Sequence, residues 1–110
     1  MSMVANTIHH QIGGKEFIFM TGSKIIRVLE DGIVYKLAKN KTMANELKIT
    51  LNGNDLYDLE FSKHTHPRLN KKTWEWVGEK QKVIKTYTDI YFDQLKEIFT
   101  ETTGLETTLF

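Results

Sequence analysis

Leu47, Ile49 and Leu51 alternate with Lys48 and Thr50, and Tyr57, Leu59 and Phe61 alternate with Asp58 and Glu60. A period of two places the apolar set on one side of a strand and the polar set on the other. Asn52-Gly53-Asn54-Asp55 between the two runs is turn chemistry, so the runs form an antiparallel pair with one dry and one wet face. This pattern constrains the fold more than any other feature of the chain. The dry face must be covered, and only helices from the chain's ends remain to cover it.

A second hairpin precedes the first. Ile25 to Leu29 and Ile33 to Leu37 flank Asp31-Gly32, a pair tolerant of the positive φ that a tight turn uses. Residues 38–46 form a polar loop. Upstream, Ile8 and Ile12 lie one helical turn apart with Val4 a turn earlier, which predicts a short helix stopped by Gly13-Gly14. Phe17-Ile18-Phe19-Met20 is rich in strand formers and ends at Thr21-Gly22-Ser23.

Downstream, Pro67 denies a continuous central strand to the segment around it. Trp74-Glu75-Trp76 alternates again, and Val83-Ile84 continues a final strand after Gly78. Thr86 to Thr102 predicts an amphipathic helix: Tyr87, Tyr91, Leu95 and Ile98 share a face that Phe92 and Phe99 widen. Thr86 with Asp89 resembles a capping pair, and Gly104 suits the left-handed stop. The expected fold is α+β. An antiparallel sheet of four to five strands carries a short N-terminal helix and an amphipathic C-terminal helix, packed on one face, in a single domain over 1–110.

Composition supports one ordinary domain, with 110 residues, 40% hydrophobic and 26% charged. There is no Cys, which removes disulfides, thiolate zinc sites and Cys nucleophiles. The first fourteen residues lack the basic and apolar regions of a signal peptide. No run approaches the roughly 20 apolar residues of a membrane span, so no membrane partner is expected. A net charge of +1 gives no overall pull towards polyanions.

The charge is unevenly placed. Lys63, Arg68, Lys71, Lys72, Lys80, Lys82 and Lys85 face only Glu75 and Glu79 within 63–85. The segment also carries Trp74 and Trp76. Cations interleaved with indoles can hold phosphates while a ring stacks on a base. The preferred reading of the segment is a solvated strand pair with one Trp in the core. From Thr86 onward Asp89, Asp93, Glu97, Glu101 and Glu106 outnumber Lys96. That acidic helix could meet a basic surface of another protein or of a second copy.

His64 and His66 have the alternate spacing of two strand residues sharing a cation, but no defined third ligand accompanies them. Thr21-Gly22-Ser23-Lys24 lacks the spacing of a phosphate loop, and no nucleophile stands in a recognisable catalytic set. The sequence offers no catalytic residue, leans away from an enzyme and calls for no cofactor.

Three stretches resemble a group of small, uncharacterised proteins of tailed phages and mobile genetic elements. They are Gly14-Lys15-Glu16-Phe17 running into Met20-Thr21-Gly22; Ile49 to Asn52 with Asn54 to Phe61; and Tyr91 through Phe99 to Leu105. The chain departs from the group at Ser23-Lys24-Ile25 and at Glu106. The resemblance implies a non-catalytic accessory protein in the cytoplasm of an infected or host bacterium. Its partner would be another protein or itself. A nucleic-acid-binding module built on 63–85 is the alternative, and a metal site at His64 and His66 is the third reading.

Overall fold

The computed structural model describes residues 2–65, 67–78 and 80–107. The chain begins with two helices, α1 (Met3–Ile12) and α2 (Gly14–Thr21). Five strands follow as β1 (Lys24–Val28), β2 (Gly32–Lys36), β3 (Glu46–Leu51) and β4 (Tyr57–Thr65), then β7 (Lys80–Ile90). They form one antiparallel sheet in the order β1-β2-β3-β4-β7. Between β4 and β7, β5 (Arg68–Asn70) and β6 (Glu75–Val77) make a small sheet of their own. A 3-10 turn at Phe92–Gln94 leads into α3 (Leu95–Thr103). The α+β class, the five-stranded antiparallel sheet and both terminal helices match the sequence expectation.

The dry face is the predicted one. Ile33 opposes Ile49, Tyr35 opposes Leu47, Leu47 opposes Phe61 and Ile49 opposes Leu59, and all are buried. Ala5, Ile8 and Ile12 of α1, Phe17 of α2, and Leu95, Ile98 and Phe99 of α3 cover them. Phe17 sits at the junction, with its ring centroid 5.1 Å from Tyr35 and 4.9 Å from Phe99, both edge-on. Three tyrosines on this face reach a helix through their hydroxyls. Tyr35 meets His9 Nδ1 at 2.8 Å, Tyr57 donates to Gln11 Oε1 at 2.6 Å, and Tyr87 meets Thr102 Oγ1 at 2.9 Å. A buried phenol needs such a partner, so these bonds fix where α1 and α3 lie on the sheet.

Three local expectations are corrected. Phe17-Ile18-Phe19-Met20 is helical, not a strand. Phe17 and Thr21 are buried one turn apart while Phe19 is 81% exposed, the signature of a helix lying on a surface. The helix predicted over Thr86 to Thr102 begins only at Leu95, because β7 runs on to Ile90. Leu59 pairs with Tyr87 and Tyr57 with Ile90, so ladder bonds along β4 claim residues that also have helical spacing. Asp89 therefore caps nothing. It has φ 55° at a register shift and accepts from Asn52 Nδ2 at 2.9 Å. Gly104, with φ 79°, is the predicted stop, and its N–H returns to Thr100 O.

The third correction concerns Asp31-Gly32. The hairpin is present, closed by Leu29 N–H to Gly32 O at 2.9 Å, but neither residue of the pair has positive φ. Glycine is required at 32 for another reason. A Cβ there would collide with the Ile49 carbonyl oxygen on the neighbouring strand.

Candidate nucleic-acid interface

A chain of 110 residues packed as a compact domain has a radius of gyration of about 13 Å. Here it is 15.1 Å, with extents of 50 × 32 × 23 Å. The length comes from β4 and β7, which run on past the helices as a two-stranded arm. Pro67 in one strand and Gly78 in the other lie outside strand structure, and beyond them β5 and β6 form the tip. Nearly every described residue from Thr65 to Val83 is exposed or half-buried. Segment 63–85 holds seven basic and two acidic residues, net +5; the rest of the chain holds eight and twelve, net −4.

Register decides where the cations point. Thr65 opposes Lys80, Lys63 opposes Lys82 and Phe61 opposes Lys85, with a shift between Phe61 and Ser62. Directly opposed residues share a face. Lys63, Lys80, Lys82 and Lys85 therefore all lie on the arm's continuation of the helix-covered face. The other face of the arm carries His64 opposite Gln81 and Ser62 opposite Val83. Among the described residues none of the four lysines has a carboxylate within 4 Å. Lys85 Nζ lies 5.5 Å from the centre of the Tyr87 ring.

The body of the sheet follows the opposite rule. On its wet face Lys48 opposes Glu60 and Lys36 opposes Glu46. Lys24 also opposes Lys36, yet Glu46 flanks Lys36 on its other side. Like charges directly opposed cost stability, whereas opposite charges add to it. Among the described residues, only on the arm does a like pair stand without a counter-charge beside it.

The tip presents apolar surface. Trp74 is 74% and Trp76 70% exposed, so neither indole is in the core and the expectation of one buried Trp fails. Nor do the two continue one regular strand. Trp74 ends the tip turn with φ 60°, its N–H held by Asn70 O at 2.7 Å, and β6 starts after it. Trp76 stands opposite Leu69, itself partly exposed, and Val77 opposite Arg68. Lys71 and Lys72 occupy the turn, with Lys72 N–H held by Asn70 Oδ1 at 2.9 Å. Leu69 and Val77 are tip residues that the sequence did not single out. Their partial exposure follows from a hairpin too short to build a second layer.

His64 belongs elsewhere. Asn45 clasps its backbone, accepting from its N–H at 2.8 Å and donating to its carbonyl at 2.7 Å. Its ring turns to the wet face, where Nδ1 lies 3.7 Å from Glu46 in a polar depression of about 410 Å³. Arg27, Lys48, Glu60 and Gln81 line the same depression. His66 lies outside the described residues, and among those described no three His, Asp or Glu come together as metal ligands. No helix of the described residues is long and apolar enough to cross a membrane.

Comparison of the chain with protein-family models, with curated proteins and with solved structures found no match.

Proposed function

We propose that the protein is a non-catalytic nucleic-acid-binding factor and that the arm is its binding element. One observation carries this reading: among the described residues, four lysines on one face of the arm have no carboxylate within 4 Å, next to a tip with two exposed indoles. Cations without a carboxylate beside them gain most from a phosphate backbone, which releases its own counterions on binding. Exposed indoles gain most from a flat apolar partner such as a base. The test is fluorescence anisotropy of a labelled oligonucleotide at low salt. Binding should be present in the native chain and fall at least tenfold in Lys63→Glu/Lys82→Glu. Absence of binding at low salt removes the proposal.

A second reading, self-association, draws on a separate observation. Asp93, Glu97 and Glu101, in and just before α3, are exposed and could meet the lysine face of another copy. Light scattering at low salt tests it, and a strict monomer at high protein concentration argues against it.

A further inference from the structure

Resting on the reading above, we infer that the arm's ligand is a single-stranded polynucleotide rather than a duplex. The cations of the arm's stem form one track. Lys80, Lys82 and Lys85 follow β7 with Lys63 beside them, and the reverse face of the ribbon carries His64, Gln81 and Val83 instead of lysines. A β-ribbon lying in a duplex groove has a phosphate backbone on each side, so it needs cations directed to both. A ribbon with one charged face can follow one backbone.

The tip adds an independent reason. Trp74 and Trp76 are exposed, and the Asn70 bonds to the turn hold the segment between β5 and β6 in place. Stacking an indole in a duplex first requires base pairs to be unstacked. A single strand offers its bases at far smaller cost, and every base has a π-face, so such binding tolerates any sequence. The track and the tip thus divide the work: lysines hold phosphates along the stem, and indoles take bases at the end. Single-stranded DNA and RNA share this chemistry.

The full chain should be titrated against a labelled oligothymidylate, an oligouridylate and a mixed-sequence duplex of equal length, at one salt concentration. At least one of the single strands should bind ten times or more tighter than the duplex, and the tighter of the two identifies the natural polymer. Trp74→Ala/Trp76→Ala should lower single-strand affinity about tenfold or more and leave duplex affinity unchanged. Duplex binding equal to or tighter than both single strands overturns this inference while leaving nucleic-acid binding in place. So does a double variant that weakens duplex and single strand alike. No binding to any of the three removes both readings.

Discussion

Lys63 and Lys82 stand directly opposite each other on adjacent antiparallel strands, on one face of the arm, and no carboxylate lies within 4 Å of either among the described residues. An opposed like-charged pair costs on the order of 0.2–1 kcal/mol. A sequence that sets Lys36 opposite Glu46 and Lys48 opposite Glu60 departs from that rule here. The first prediction separates folding from function. Lys82→Glu should raise stability by about 0.2–1 kcal/mol, seen as a higher urea midpoint with unchanged slope. The same substitution should weaken oligonucleotide binding. Loss of both stability and binding would show that Lys82 serves the fold.

The indoles should matter to binding and hardly at all to folding. Trp74→Ala and Trp76→Ala should each change stability by less than about 0.5 kcal/mol, as for other exposed side chains outside the core. Phe17→Ala and Phe99→Ala, both at fully buried rings, should each cost about 3–5 kcal/mol. Urea unfolding of the four variants makes the comparison.

Gly32→Ala should destabilise by about 1–3 kcal/mol or more, because the added methyl meets the backbone oxygen of Ile49 rather than a side chain that could move. Gly53→Ala, at a turn with open space around the site, should cost much less. Equal effects would mean that β2 and β3 do not approach as closely as described.

Stability should fall at both ends of the pH range. Burial, with His10 adding to it, holds the His9 imidazole below its ordinary value of 6.5. The folded state then binds fewer protons than the unfolded one, so this contribution is complete above about 6.5 and is lost as pH falls below it. Burial pushes the Tyr35 phenol well above its ordinary 10.0. That contribution is complete below about 10 and is lost as pH rises beyond it. The two groups lie 2.8 Å apart, so α1 should loosen from β2 at either limit. The urea midpoint should be flat between the limits, and His9→Gln should flatten the acid side.

Much of the fold was legible because strand alternation survives translation into three dimensions. Leu47 to Phe61 became β3 and β4 with the predicted turn and the predicted dry face. What failed were segments whose side chains satisfy two periods at once. Tyr87 and Tyr91 lie four apart, as in a helix, yet Tyr87 is held by Leu59 across the sheet and Tyr91 is exposed at the turn. Phe17 to Met20 is apolar throughout, and only packing decides that Phe17 goes in and Phe19 out. The basic character of 63–85 could be counted from the sequence. Its concentration on one face could not, because it depends on a register that pairs residues nineteen apart and shifts at Phe61. His64 likewise needed that register to be placed on the wet face beside Glu46, away from the arm's lysines.

The central claim is that phosphates bind to the four-lysine face. It is tested most directly by measuring the affinity for a single-stranded oligonucleotide across a series of salt concentrations. Four phosphate contacts predict a slope of log affinity against log salt of about −3, and Lys82→Ala should reduce its magnitude by about 0.7. A slope near zero, or one that Lys82→Ala leaves unchanged, would contradict it.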